Sequence, residues 1–114
     1  MSLIYKICSA VVWQEARQAG SLRASADDAR DGFIHFSTAA QLPETLSKHF
    51  AGRDDLVLLT VAEDAVRPHL RWEPARGGAL FPHLYGALSV RAVQGAQAIG
   101  LGADGRHVLP ELAP

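Results

Sequence analysis

The chain has one cysteine in 114 residues and a formal net charge close to zero, and both features limit the classes of protein to which it can belong. Because Cys8 has no second cysteine to pair with, an intrachain disulfide is excluded, which fits a reducing compartment. The formal charge of −1 provides no global attraction to nucleic acid or to a membrane surface. The sequence also lacks a secretory signal and any apolar run of membrane-spanning length. We therefore expect a cytoplasmic protein without a membrane partner.

The usual spacings of metal and phosphate sites are missing as well. There is no His-Glu-x-x-His helix and no Cys-x-x-Cys pair, so no metal site is predicted. Two imidazoles and a carboxylate, from His35, His83 and Glu73, are chemically able to bind zinc, but no motif supports that alternative. The double glycine at 77–78 lacks the pattern that surrounds a phosphate-binding loop.

Hydrophobic periodicity and cap residues predict two main helices. The first lies between Ser9, a good N-cap, and Gly20, a residue type that commonly ends helices. Thr38 and Gln41 have the spacing of a capping box. The second regular helix is expected to begin near Pro43, after an irregular turn, and to end at Gly52.

The rest of the pattern predicts an α+β fold, with six or seven strands in a small split sheet system that is mixed or antiparallel. The continuous apolar run at 56–62 is typical of a central strand covered on both faces. The polar segment 21–31 is interpreted as a loop, and one domain is expected over residues 1–114. Further strands are predicted at 3–7, 33–37, 70–73, 83–85, 88–93 and 96–101, and residues 107–109 are an additional candidate for a last edge strand.

Three of the predicted strands carry pairs of polar residues spaced two apart. Side chains in an extended chain alternate between faces, so the two members of each pair share a face and apolar neighbours take the other. If the strands are neighbours, two histidines, a carboxylate, a guanidinium, a hydroxyl and a phenol converge on one patch. The pairs are His35 with Ser37, Arg71 with Glu73, and His83 with Tyr85.

Each histidine of the patch has a structural and a chemical interpretation. His35 is either a half-buried residue bonded to backbone or a proton shuttle, because imidazole titrates near neutral pH. The same alternatives hold for His83, where Pro82 and the glycines at 77–78 suggest a loop that folds over a site.

Each of the other candidate residues also has a structural and a chemical interpretation. Arg71 and Glu73 either form an ordinary cross-strand ion pair or contact phosphate and ribose. Tyr85 either packs in the core or stacks on a base. Ser37 either caps the next helix or contacts substrate, and Lys6 is either a solvated lysine or a phosphate contact.

The two tryptophans are expected in the core, His49 and His69 are expected on the surface, and His107, beside the Asp-Gly turn, is not a candidate for chemistry. Trp13 follows helical spacing, and Trp72 takes the strand face opposite the polar pair.

Two segments of sequence are distinctive enough to suggest a family. Gly-Phe-Ile-His-Phe-Ser at 32–37 and Phe-Pro-His-Leu-Tyr-Gly at 81–86 are accompanied by matching residues at 4–7, 51–56 and 71–74. Together they resemble the uncharacterised bacterial family known as domain of unknown function 952. The resemblance covers nearly the whole chain, and the family name implies no particular activity.

More distantly, the order of segments resembles the ADP-ribosyltransferase-like fold, including RNA 2′-phosphotransferase, in which NAD lies in the split between two small sheets. The resemblance aligns His35 with the second histidine of a His-x-His strand, and it makes Glu73 the analogue of the transferase glutamate. Phe33 stands where the phosphotransferase branch has its first histidine. Lys6 stands where many transferases have histidine or arginine.

The resemblance implies a polar cleft that binds NAD or a related nucleotide as substrate and an enzyme that transfers ADP-ribose, with no resident cofactor. The acceptor, RNA or protein, stays open, as does the oligomeric state. Two alternatives stay open as well, a non-catalytic nucleotide-binding or small-molecule-binding module and a protein-interaction domain. The implied catalytic residues are His35, Glu73 and His83, and the implied substrate-binding residues are Lys6, Ser37, Arg71 and Tyr85.

Overall fold

The computed structural model describes residues 2–22 and 25–112, and within these ranges the fold is α+β. The described ranges contain four α-helices rather than two, namely α1 (Ala10–Ala19), α2 (Ala26–Asp31), α3 (Leu42–His49) and α4 (Glu63–Val66). Their strands are β1 (Leu3–Ser9), β2 (Ser21–Leu22), β3 (Ile34–His35), β4 (Leu56–Ala62), β5 (Leu70–Pro74), β6 (Leu80–Leu84), β7 (Leu88–Ser89), β8 (Val93–Leu101) and β9 (His107–Val108). No described helix has the length and apolar character needed to cross a membrane.

All pairings between the described strands are antiparallel, so of the two predicted arrangements, mixed or antiparallel, the structure has the antiparallel one. One sheet has the order β1-β4-β8-β9, a second has the order β3-β6-β5, and β2 pairs with β7. Beyond β3 the chain reaches the four-stranded sheet, where Ser37 exchanges two backbone hydrogen bonds with Tyr5, at 2.8 and 2.9 Å. The two larger sheets are therefore joined through the segment that carries His35.

The central strand β4 is confirmed at its predicted bounds, and it is covered on both faces. On one face Leu59 and Val61 belong to a core that includes residues of α1, β2, β3 and β6. On the other face Leu58 packs in a second core with Leu42 and Leu46 of α3. Burial on both sides explains why the strand is almost entirely apolar, and its one polar residue, Thr60, is also the one that is only partly buried.

The predicted limits of the first helix are confirmed. The Oγ atom of Ser9 accepts a hydrogen bond from the Val12 amide at 3.1 Å, and Gly20 ends α1 with a φ of +90°. That backbone conformation strains residues with a Cβ, so glycine is favoured there.

The second predicted helix has the expected irregular start. Thr38 and Gln41 form a capping box around a short 3₁₀ turn at Ala39–Gln41, and α3 follows directly at Leu42 with Pro43 in its first turn. The helix ends at His49 rather than at the expected glycine of position 52.

The loop predicted for residues 21–31 is wrong at 21–22 and 26–31, which form β2 and α2, and residues 23–24 lie outside the described residues. Ser25 and Asp28 form a capping box, with each side chain accepting a hydrogen bond from the other residue's amide, at 3.1 and 3.3 Å. Gly32 ends the helix with a φ of +86°. A helix of six residues has no room for an apolar stripe, so hydrophobic periodicity could not show it.

Trp72 is not a core residue, contrary to the prediction. Its side chain is 38% exposed, and its indole N–H donates to Glu63 at 3.0 Å. The strand β5 lies at the edge of its sheet, so the face opposite the polar patch is only partly covered. Trp13 is half-buried and packs against the core, as expected.

Candidate functional site

The polar residues of three strands meet on one face of the β3-β6-β5 sheet. His83 of the middle strand lies opposite His35 of β3 and opposite Arg71 of β5. Glu73 shares a face with Arg71 because it is two residues further along β5, and Tyr85 follows the end of β6. These five residues therefore converge on one face of the sheet, as expected.

A cavity of about 630 Å³ lies beside this face. It is lined from both larger sheets and from α2 and α3, and its walls contain Lys6, His35, Ser37 and His83. Glu73, Arg71 and Tyr85 do not contribute to these walls. All four phenylalanines of the chain line the cavity, namely Phe33, Phe36, Phe50 and Phe81.

A buried carboxylate that sequence analysis missed organises one wall. Asp28 is 2% exposed and accepts a hydrogen bond from Lys6 Nζ at 3.0 Å. Its other oxygen lies 2.5 Å from His35 Nδ1 and also accepts the His35 amide at 3.2 Å. Burial alone raises the pKa of the Asp28 carboxyl, but the bond from His35 and the charge of Lys6 outweigh it and hold the pKa well below its usual range.

His35 is held between two carboxylates. Its Nδ1 faces Asp28, and its Nε2 lies 2.9 Å from Oδ2 of Asp31, which is four residues earlier in the chain. Each ring nitrogen therefore has a carboxylate neighbour, and the interpretation of His35 as a half-buried residue whose ring bonds to backbone is wrong.

Lys6 is buried, which contradicts its interpretation as a solvated lysine. It is 6% exposed, and its ammonium group is held by Asp28, 22 positions away in sequence. The partner could have been found from the Ser25-x-x-Asp28 pattern, which is a helix-start signal within the segment interpreted as a loop.

His83 belongs to a second polar network, connected to β5. Its Nδ1 lies 2.8 Å from Glu73 Oε1, and the Tyr85 hydroxyl donates to the same oxygen at 2.7 Å. The bonds from Tyr85 and His83 lower the pKa of the Glu73 carboxyl, and the same bond to Glu73 raises the pKa of Tyr85. The phenyl ring of Phe33 stacks on the imidazole, with ring centroids 3.9 Å apart and planes at 22°.

The suggestion that His83 lies on a loop folding over the site is wrong, because His83 lies within the middle strand β6. The glycines instead form the turn between β5 and β6, where both Gly77 and Gly78 have positive φ. His83 is thus part of a rigid wall, and its side chain is only 7% exposed.

The remaining candidates are placed around these two networks. The guanidinium of Arg71 lies 5.2 Å from the ring centroid of Tyr85, in cation–π range. Ser37 is not a helix cap, since Thr38 has that position, and its Oγ lies 3.2 Å from the hydroxyl of Thr45.

Metal and thiol chemistry gain no support from this geometry. Across residues 2–22 and 25–112, no three His, Cys, Asp or Glu side chains are grouped so as to hold a metal ion. Cys8 lines the cavity, but burial raises the pKa of its thiol to about 11, despite the nearby charge of Lys6. The protonated thiol is a poor nucleophile at neutral pH.

Comparison with known proteins identifies relatives but no activity. A family model described as "Protein of unknown function (DUF952)" matches residues 7–96. The crystal structure of protein CC0527 from Caulobacter crescentus has 45% sequence identity, covers 94% of each chain and superposes with a TM-score of 0.89. The solution NMR structure of the same protein has 46% identity, covers 93% of this chain and 91% of that one, and gives a TM-score of 0.84. A comparison with curated proteins gave no match.

Proposed function

The chain belongs to the DUF952 family, whose function is unknown, and we propose that its cavity binds a nucleotide of the NAD class. One observation carries this proposal: every phenylalanine of the chain lines a cavity whose walls also contain His35, His49 and His83. Aromatic rings offer stacking surfaces to a planar base, and polar groups that converge in an apolar pocket fix the orientation of a ligand.

Charge on the walls favours an anionic ligand. The cavity is lined by three cationic side chains, Lys6, Arg30 and Arg53, and by two carboxylates, Asp28 and Asp31. The planar fork of an arginine suits the oxygens of a phosphate. A base with a diphosphate would therefore match both the aromatic and the cationic parts of the walls.

The reaction proposed for this site is the transfer of ADP-ribose. The position of the cavity between two antiparallel sheets supports it, because the ADP-ribosyltransferase-like fold that the sequence resembles holds NAD in such a split. In this proposal His35 and His83 contact the ribose and nicotinamide portions, and Lys6 and Ser37 bind other parts of the substrate within the same cavity. Glu73, Arg71 and Tyr85 lie outside the cavity walls, and in this proposal they act indirectly, through His83.

A non-catalytic binding module is the second candidate, and the position of Glu73 favours it. Its Oε1 already accepts bonds from His83 and Tyr85, and the residue does not line the cavity. A carboxylate so placed is poorly situated to stabilise a ribosyl cation, so the transferase would need another source of catalysis.

Thermal unfolding with NAD or ADP-ribose tests the binding proposal. A ligand at about ten times its Kd stabilises the folded state by about 1.4 kcal/mol, which corresponds to roughly 6 °C in a domain of this size. The Arg53→Gln variant is expected to lose at least half of this shift, because the cation near the phosphates is gone. Arg106→Gln is the matched control, since Arg106 also pairs with a nearby aspartate but lies outside the cavity walls.

The proposal fails if neither NAD nor ADP-ribose, at millimolar concentration, changes the unfolding temperature of the unmodified chain. Release of nicotinamide from NAD separates the two candidates. Binding with release supports the transferase, and binding without release supports the non-catalytic module.

A further inference from the structure

Two of the three histidines that line the cavity, His35 and His83, differ in how many of their ring nitrogens have a carboxylate neighbour. In His35 both nitrogens face carboxylates. In His83 only Nδ1 has a carboxylate partner, Glu73, and no hydrogen bond to Nε2 is present among the described residues. No buried side-chain nitrogen or oxygen in those residues lacks a partner, so Nε2 must be reached from the cavity that His83 lines.

From this difference we propose that His83 Nε2 is the proton acceptor of the cavity, that Glu73 is its positioning residue, and that His35 takes no part in proton transfer. The carboxylate at Nδ1 keeps the proton on that nitrogen, which leaves the Nε2 lone pair available. Stacking of Phe33 on the imidazole restricts rotation of the ring. The inference rests on the proposed function, and it gives Glu73 a role other than contact with the ribosyl cation.

The reaction step follows from this assignment. Water or a substrate hydroxyl attacks C1′ of the nicotinamide ribose, and its oxygen forms the new bond to that carbon. The O–H bond breaks, and the proton passes to His83 Nε2. The C1′–N bond breaks at the same centre, and its electron pair leaves with nicotinamide as a neutral molecule. The Glu73 carboxylate stabilises the imidazolium that results.

Acylation with diethyl pyrocarbonate tests the free nitrogen without any nucleotide. The reagent acylates imidazole through an unprotonated ring nitrogen, and mass spectrometry locates the product. We expect modification of His83 and of the exposed His69, which serves as an internal control, and at least tenfold slower modification of His35. Modification of His35 with an unreactive His83 would overturn the inference.

A second arm distinguishes this inference from the proposed function. NAD or ADP-ribose should protect His83 and leave His69 unprotected. If His83 is acylated but neither nucleotide protects it, the free nitrogen stands and the nucleotide proposal fails.

Variants test the roles in turnover. In His83→Gln we expect kcat for nicotinamide release from NAD to fall at least 100-fold, with KM changed less than threefold and the acid limb of the pH profile lost. Glu73→Gln retains an acceptor for Nδ1 but not the charge, so it should recover part of the activity that Glu73→Leu loses. Equal kcat in these two variants, or an unchanged pH profile in His83→Gln, would contradict the assignment.

The pH profile must be interpreted with all the charged groups around His83. The groups that face it or its network are Glu73 and Arg71 on β5, His35 on β3 and Tyr85 beyond β6. Tyr85→Phe is a useful control, because it removes one bond to Glu73 and leaves the contact between Glu73 and His83 in place. It should retain the acid limb of the profile.

Discussion

Asp28 shows how one residue can connect parts of the chain that are distant in sequence. Its carboxylate contacts Lys6 on β1 and both the ring and the backbone of His35 on β3. Removing one partner of a buried ion pair leaves the other charge uncompensated, which costs more than the pair itself contributes.

We therefore expect Asp28→Ala to lower the free energy of unfolding by about 3–5 kcal/mol, because the buried Lys6 side chain would lose its ion-pair partner. Urea unfolding measures the change. The exposed Asp104→Ala variant is the control and should change stability by less than about 0.5 kcal/mol, since Asp104 and its partner Arg106 are in water. An equally small effect of Asp28→Ala would show that the ion pair is not important for stability.

At the scale of single elements, α2 depends on its cap. The helix is six residues long, and its start is fixed by the reciprocal bonds between Ser25 and Asp28. Most helices of this length are not stable by propensity alone, so capping and tertiary contacts determine whether they form.

The Ser25→Ala variant is expected to destabilise the protein by about 1 kcal/mol through loss of the N-cap. Hydrogen exchange should rise in the amides of α2 more than in those of α3. Ser47→Ala is the comparison, because the Ser47 hydroxyl donates to a carbonyl within an established helix and caps nothing. Uniform exchange changes across both helices would contradict a local effect.

Cap residues and hydrophobic runs predicted those helices and strands whose limits depend on residues near them in sequence. The limits of α1 and the start of α3 followed from Ser9, Gly20 and the Thr38–Gln41 box, and β4 followed from its apolar run. The helix α2 was missed because its inward-facing group is a carboxylate, which has no apolar signal.

The polar patch was predictable only in part. Alternation along each strand correctly placed His83, Arg71 and Glu73 on one face, but it could not show that Asp28 would pair with Lys6. That contact requires knowledge of which distant segments pack together. The exposure of Trp72 has the same origin, because the coverage of an edge strand is decided by tertiary packing.

At the scale of the whole molecule, the lowered pKa of Asp28 should make the free energy of unfolding depend on pH in the acid range. The unfolded chain binds a proton at the ordinary carboxyl pKa, whereas the folded chain binds it only at lower pH. The stabilisation is fully present above about pH 5 and is lost progressively as the pH falls through about 4 and below, by about 1.4 kcal/mol for each pH unit.

Urea midpoints measured between about pH 2.5 and 7 test this expectation. The unmodified chain should lose stability below pH 4, and Asp28→Asn should be less stable at pH 7 but show a shallower decline in acid. The same acid slope in both proteins would assign the dependence to other carboxylates, such as Glu73, whose pKa is also lowered.

The backbone contact between Ser37 and Tyr5 has a mechanical consequence for the cavity. His35 is in register with the three-stranded sheet, and two residues later Ser37 is bonded to the four-stranded sheet. Two extended residues span only about 7 Å, so the sheets are tethered there by covalent chain as well as by packing. Any breathing motion that widens the cavity must pivot about this tether, and its amplitude should increase with distance from His35.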